Sequence, residues 1–412
     1  MSENVSLTKI EINNYRSCIE TTLEPNLGLS ALIGPNGSGK TNILSALQLL
    51  CALGNSRNMG HSRNTMSSEA FSSDCVLKVW FTWKGKSIIY QAQISLINNE
   101  KNHDEILNAV ENWYIFSITG SRKKINIPIG ILNDDFRYPR SRSLRDSLVE
   151  YLTTQYASEA NATEAVECMQ DVLNFVRSIS YYSASIFTNP SNCPISFEVE
   201  SESGARRGIS ISGHKKFLYD LYSAYKNEST EFALFIDLVG ANGVNLIDNL
   251  SFNEIETSSS VYKVSVGGRI TTKEKKNNLI IPNFLISGNA LSPSQLSEGT
   301  FKTLALFFYL ISDHGSLMLI EEPEVCVHHG LLSSIIELVK IYSNQKQIII
   351  STHSDQLLDS LDIESVFKVT RDEEGTTVSN IKKNLSNDEL KALKYYLQNE
   401  GGLGEYWKHG EL

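Results

Sequence analysis

Cysteine is scarce in this sequence. Its six copies (Cys18, Cys51, Cys75, Cys168, Cys193 and Cys326) never fall in a CxxC pair. That scatter excludes a zinc-ribbon or disulfide framework and reads as reduced core thiols of a cytoplasmic protein. Long apolar runs are missing as well. The longest, Leu304 to Ile311, is far too short to cross a bilayer, so no membrane span is expected. Positive charge is in deficit, with 37 Lys+Arg against 47 Asp+Glu and a formal net charge of −10. A protein so acidic does not coat nucleic acid with most of its surface, although a local basic groove stays open. The start Met1-Ser2-Glu3-Asn4 has neither a signal nor a transit pattern. Sustained heptads and internal repeats are also lacking, which excludes a long coiled coil.

What is present is an ordinary globular composition, 41% hydrophobic and 20% charged over 412 residues, enough for about two to three domain-sized units. Leu7 to Ile12 alternates as a strand, and Leu29 to Ile33 is a short apolar strand. A glycine turn follows, and then Ile43, Leu44, Leu47 and Leu50 recur at helical spacing. Asn55 to Asp74 is rich in Ser and Asn and reads as a surface loop. Strands are expected at Cys75–Trp83 and Lys86–Leu96, joined at Lys84-Gly85, and at Trp113–Ile118. Helix character marks Ser143–Arg177 and His214–Leu238, and strands return at Tyr262–Val266 and Leu279–Leu285. The last third alternates helix Thr300–Ile311, buried strand Leu317–Ile320, helix Leu331–Tyr342 and buried strand Gln347–Ser351. That rhythm implies a parallel sheet packed by helices.

Chemistry concentrates at four places. Gly34-Pro35-Asn36-Gly37-Ser38-Gly39-Lys40-Thr41 fits the phosphate-loop pattern in full, with a strand before it and a helix after. Its backbone N–H groups converge on an anion at a helix N-terminus, Lys40 reaches the β and γ oxygens, and Thr41 reaches Mg²⁺. Leu317 to Glu324 is an apolar strand ending in acids, placing Glu321 to hold Mg²⁺ and Glu322 to orient or deprotonate water. Taken alone it also reads as a strand running into a solvated acidic turn. Leu296-Ser297-Glu298-Gly299-Thr300 offers Ser297 and the Gly299 N–H at a helix start, as an anion site or as a plain cap. Ser351-Thr352-His353-Ser354 ends the following strand, with His353 in reach of a γ-phosphate or serving structure alone.

Their order decides between these readings. Phosphate loop, LSxGx helix start, acidic strand and Thr-His-Ser resemble the Walker A, signature, Walker B and switch histidine of ABC-type ATPases. More than 250 residues separate the first two elements here, whereas transporter ATPases keep them much closer. The opening Lys9-Ile10-Glu11-Ile12-Asn13-Asn14-Tyr15-Arg16-Ser17 and the Asn36 inside the loop resemble the RecF/SMC/OLD branch. Glu321-Glu322-Pro323-Glu324 with His328-His329, and the closing Gly402-Leu403-Gly404-Glu405-x-Trp407, are similar to stand-alone bacterial OLD-like members. The resemblance implies an α/β fold: an ABC-type ATPase head with a mixed sheet and an inserted helical and β arm. It divides the chain into core residues 1–54, an insertion at 55–278 and core residues 279–412. It further implies that Arg16 lies near the nucleotide, that ATP and Mg²⁺ are the cofactors, and that Ser297 and Gly299 act across a homodimer. Three features depart from the pattern. Glu321 stands where the broader family has aspartate, Gly330 replaces a proline, and no glutamine is assigned to the Q-loop, Gln91 and Gln93 being the nearest candidates.

The 59 residues after His353 hold no cluster of paired acids for a two-metal nuclease, so no nuclease activity is expected of this chain. Arg137, Arg140, Arg142 and Arg145 around Tyr138, with Arg122, Lys123 and Lys124 upstream, read as a phosphate-backbone or acidic-partner site or as a solvated basic face. Tyr181 and Tyr182 are expected to pack, and His328-His329 lacks the partners of a metal site. The preferred expectation is an ATPase that dimerises, or forms a higher homo-oligomer, around ATP. It would gate or sense for a separate effector, a nuclease or toxin, in anti-phage defence. The alternatives are a RecF-like repair ATPase that binds DNA directly and an ATP-dependent scaffold with little hydrolysis.

Overall fold

The computed structural model describes residues 5–54, 71–99, 104–116, 122–126, 159–200, 213–264, 270–325, 327 and 329–408. Along the chain run β1 (Val5–Tyr15), β2 (Cys18–Leu23), β3 (Leu29–Ile33), α1 (Lys40–Gly54), β4 (Phe71–Trp83), β5 (Lys86–Asn99), β6 (Asp104–Phe116), β7 (Arg122–Asn126) and α2 (Glu159–Arg177). Next come β8 (Ser180–Ser183), β9 (Phe197–Glu200), α3 (His214–Lys226), α4 (Thr230–Val239), β10 (Asn249–Val264), β11 (Ile270–Ile286), β12 (Asn289–Leu291) and α5 (Glu298–Ser312). The remainder is β13 (Leu317–Glu321), α6 (His329–Ser343), β14 (Gln347–Thr352), α7 (Asp355–Asp359), β15 (Val366–Asp372), β16 (Gly375–Asn380), α8 (Ile381–Asn384), α9 (Asn387–Asn399) and α10 (Leu403–Lys408). The chain forms two compact units. One comprises Met1–Tyr181, His314–Glu322 and Ile336–Leu412; the other comprises Tyr182–Asp313 and Pro323–Ile335.

The first unit is α/β with two sheets of different character. One has the order β2-β1-β4-β5-β6-β7 and is antiparallel throughout. The other has the order β16-β15-β3-β14-β13-β8 and is mixed: β15, β3, β14 and β13 run parallel, while β16 returns antiparallel. Strands β3 and β14 are buried at every position and β13 at all but its last, as expected of parallel strands covered on both faces. In β1 the buried residues Leu7, Ile10, Ile12 and Tyr15 do not simply alternate. Register shifts at Leu7/Lys9 and Asn13/Tyr15 explain this, because an extra residue flips the faces that follow it. A single core runs from β1, β4 and β5 through α1 and α2 to Leu32, Leu317, Leu319 and Ile349 of the mixed sheet.

A buried amide links the two sheets. Gln347, at the start of β14, is nearly fully buried. Its amide accepts from Leu7 N (2.8 Å) and donates to Leu7 O (2.9 Å) and Asn26 O (3.0 Å). It thereby satisfies Leu7, which lies beyond the β1–β2 pairing that begins at Ile10, and the Asn26 carbonyl after β2. Gln347→Leu should therefore cost about 2–4 kcal/mol, since it orphans a buried donor and two acceptors together. The check is a fall in the urea midpoint at unchanged slope; a change within experimental scatter would mean the site relaxes or hydrates.

The second unit is built on the hairpin β10–β11, extended by β12 and, on β11, by the antiparallel β9. The strands expected at Tyr262–Val266 and Leu279–Leu285 belong to this longer hairpin, of which Val264 is the last described residue on its first arm. The helical stretch His214–Leu238 is two helices. Glu228 adopts a left-handed φ of 49° and Ser229 caps α4 by accepting from Phe232 N, so the chain turns between them. Phe187, Phe217, Phe301, Phe308 and Tyr309 form the aromatic core of this unit. Arg137, Tyr138, Arg140, Arg142, Arg145 and His328 lie outside the described residues, as does most of the stretch 55–74. Among the described residues no helix is long and apolar enough to cross a membrane. Burial raises the thiols of Cys75, Cys168 and Cys193 to about 12 and that of Cys18 to about 11, so these cysteines are inert protonated core residues.

Candidate functional site

Three loops of the first unit leave one edge of the mixed sheet together. In the parallel registers Thr352 pairs with Ile33 and Ser351 with Glu321, so β3, β14 and β13 end level with one another. The phosphate loop, His353 and Glu322 follow those ends directly. This is the carboxyl edge, where open α/β sheets bind ligands.

The loop itself is tightly held. Ser38 N donates to Pro35 O (3.2 Å), Ile43 N donates to Gly39 O (3.1 Å), and α1 begins at Lys40. Lys40 is largely buried, and its ammonium donates to the carbonyls of Gly34 (2.7 Å) and Pro35 (3.1 Å). A cation curled against carbonyl dipoles beside a helix N-terminus favours an anion in the same place. Gly39 is required as glycine: its φ is +107°, and a Cβ there would lie 2.2 Å from Thr376 Oγ1. Thr376, on β16, braces the loop from behind. Its hydroxyl donates to Ser38 O (3.1 Å) and lies 2.7 Å from Ser17 Oγ, while its N–H donates to Ser17 O (2.8 Å). Asn42 donates to Ser17 Oγ (2.6 Å), and Thr21 donates to Thr376 O (2.6 Å). Sequence reasoning passed over Ser17, Thr376 and Asn42. The loop pattern gives no sign of them: Ser17 comes from the turn between β1 and β2 and Thr376 from the distant β16.

Arg16 stands in the left-handed region with φ 52° and reaches the first turns of α1. Its Nη1 donates to Asn42 Oδ1 (3.5 Å) and Ser45 Oγ (3.4 Å), and its guanidinium lies over the Tyr15 ring. Gln93 donates to Asp74 Oδ2 (3.2 Å).

The acidic strand end splits its two carboxylates. Glu321 turns toward α1, where Thr41 Oγ1 donates to its Oε1 at 2.5 Å. Tyr181, on β8, donates from its phenol to Glu321 Oε2. These oxygens fit Mg²⁺, which takes hard oxygen ligands. Thr41 and Glu321 would hold such a metal. Glu322 points the other way. Its φ of 45° is left-handed although it has a Cβ and precedes proline, and its N–H donates to Ser351 O at 2.9 Å. Its Oε1 lies 3.5 Å from His353 Nδ1, both side chains remaining partly open to solvent. Backbone strain at a carboxylate ending a buried strand makes Glu322 a candidate for a functional role.

Ser297 and Gly299 belong to the second unit. Ser297 is the N-cap of α5: its Oγ accepts from Thr300 N (3.1 Å) and lies 2.8 Å from Thr300 Oγ1. The Gly299 carbonyl accepts from Thr303 Oγ1 (2.8 Å). Behind the cap, the buried Lys302 pairs with Glu298 at 2.6 Å. Among the described residues no group of three or more His, Cys, Asp or Glu side chains gathers into a metal cluster.

Comparison with known proteins adds similarity on both halves of the chain. Residues 6–173 match a family model described as "AAA ATPase domain". Residues 280–359 match one described as "AAA domain, putative AbiEii toxin, Type IV TA system". The chain is 42% identical over 76 residues to the DNA replication and repair protein RecF of Prosthecochloris aestuarii, a stretch covering 18% of this chain and 20% of RecF. It is 46% identical over 43 residues to the chromosome partition protein Smc of Methanocaldococcus jannaschii, covering 10% of this chain and 4% of Smc. Its matches therefore span a fifth or less of either relative. Among solved structures, an Smc head domain bound to the C-terminal domain of ScpA, derived from Pyrococcus furiosus, aligns over 96% of this chain and 100% of its own at 11% identity and TM-score 0.47. An SmcHead bound to the C-winged helix domain of ScpA aligns over 94% and 99% at 13% identity and TM-score 0.46. The similarity is thus to ATPase domains over residues 6–173 and 280–359, which carry the phosphate loop and the acidic strand, and to short segments of RecF and Smc.

Proposed function

We propose that this chain binds and hydrolyses ATP at the edge where the phosphate loop, Glu321, Glu322 and His353 meet. The observation that carries the reading is the division of labour at the end of β13. One carboxylate is tied to the phosphate-loop threonine; the next, on a strained backbone, is turned toward a histidine. Lys40 and the loop N–H groups bind the phosphates, while Thr41 and Glu321 hold Mg²⁺. Held there, Mg²⁺ would supply charge neutralisation for the bound phosphates. Glu322 accepts a proton from, or orients, the attacking water, and His353, 3.5 Å from the Glu322 carboxylate, contacts the γ-phosphate. Ser297 and Gly299 act on ATP held by a second copy, making the active species a homodimer or larger homo-oligomer.

The biological reading is an ATPase that gates or senses for a separate effector, a nuclease or toxin, in bacterial anti-phage defence. The match of residues 280–359 to a family model described as a putative AbiEii toxin of a Type IV TA system supports a toxin–antitoxin setting for the ATPase. A second reading, a repair ATPase that binds DNA directly, is favoured by the resemblance to RecF. Phosphate release by the purified chain tests the enzymatic claim: it should require Mg²⁺ and stop in EDTA, and release indifferent to EDTA would overturn it. Titration with duplex DNA in the same preparation separates the biological readings, because direct binding would weaken steeply with salt.

A further inference from the structure

Glu321 is held at both ends. Thr41 Oγ1 donates to one carboxylate oxygen at 2.5 Å, and the Tyr181 phenol donates to the other. The Tyr181 ring packs against the main core of the unit, and β8 lies next to β13 in the mixed sheet, so the hydroxyl comes from a rigid support. A glutamate at the end of a strand is a long, flexible side chain; fixing it in one rotamer costs entropy, which the hydrogen bonds to both oxygens offset before any metal arrives. An anchored carboxylate meets a metal, or a metal-bound water, without reorganising, and hydrogen bonds behind metal-binding carboxylates tune affinity in this way. We infer that Tyr181 is a positioning residue for the Mg²⁺ side of the site: its phenol fixes Glu321 in the geometry that faces Thr41. This rests on the reading of the site as one for ATP and Mg²⁺.

The test uses the full chain and isothermal titration of ADP, in EDTA and at stepped Mg²⁺ concentrations. In the wild type, Mg²⁺ should tighten ADP binding. In Tyr181→Phe, which keeps the ring, the Mg²⁺ concentration giving half of that tightening should rise about 10-fold, with affinity in EDTA and thermal midpoint unchanged. Glu321→Asp withdraws the carboxylate by about 1.5 Å, out of reach of the phenol. Adding Tyr181→Phe to it should then raise the Mg²⁺ requirement no more than about 2-fold further, the non-additivity of a direct pair. Equal rises in both backgrounds, an unchanged Mg²⁺ requirement in Tyr181→Phe, or a variant that unfolds or loses ADP equally in EDTA would overturn the inference and leave Tyr181 a packing residue. Wild-type ADP binding that ignores Mg²⁺ would instead overturn the nucleotide–metal reading, and the inference with it.

Discussion

Glu322→Gln is expected to hydrolyse ATP about 10²–10⁴-fold more slowly than the wild type while binding ATP with near-normal affinity. The substitution removes a proton acceptor and keeps the shape of the side chain. The backbone bears on the outcome as well. A left-handed residue with a Cβ is disfavoured by roughly 1–2 kcal/mol, and the position before Pro323 narrows the alternatives further. The conformation persists because Glu322 N is tied to Ser351 O on the neighbouring parallel strand. Glutamine meets the same backbone requirement as glutamate, so the thermal midpoint should not fall. Loss of hydrolysis without loss of stability or binding separates a chemical role from a structural one. Single-turnover hydrolysis, nucleotide titration and a melting curve supply the readings. Hydrolysis at a rate near the wild type would remove Glu322 from the role of base. With ATP bound and turnover blocked, the variant should also accumulate as an ATP-bound dimer or larger assembly.

Local patterns in the sequence carried the elements that hold this site. The helix expected at Thr300–Ile311 is α5, Glu298–Ser312, and the strands expected at Leu317–Ile320 and Gln347–Ser351 are β13 and β14, each within two residues. Buried parallel strands and capped helices announce themselves by composition. What the sequence hid was everything set by sheet partnership. Thr376 lies far along the chain from Ser38, yet it braces the phosphate loop because β15 pairs with β3 and β16 returns beside it. Tyr181 was expected to pack; its ring does, but its hydroxyl belongs to Glu321. No periodicity separates a phenol that ends in a core from one that reaches a carboxylate. Gln347, a polar residue at the head of an apolar strand, carried a faint signal, since a buried amide needs partners. The cysteines expected as core thiols include Cys18, Cys75 and Cys168 in the core and Cys51 packed against it.

A mixture of two inactive variants is expected to regain activity. If each ATP site draws Lys40 from one subunit and Ser297 from the other across a two-fold interface, Lys40→Ala and Ser297→Arg homodimers each lack one half of both sites. Lys40→Ala removes the buried ammonium from the phosphate loop. Ser297→Arg replaces the cap of α5 with a bulky cation; the lost cap costs about 1 kcal/mol, too little to unfold the chain. In a mixed dimer one site receives both defects and the other receives neither. Random exchange makes about half of the dimers mixed, so an equal mixture should recover roughly a quarter of wild-type ATPase activity when the sites act independently. Differently tagged subunits and a pull-down establish that exchange took place. Mixed dimers that bind ATP normally and do not hydrolyse it would mean that the two sites fire only together. The Ser297→Arg homodimer carries the sharper test. Because the hydroxyl in the isolated chain is engaged as a cap by Thr300, capping alone would explain Ser297 if that homodimer stayed active, and the signature would then not act in trans.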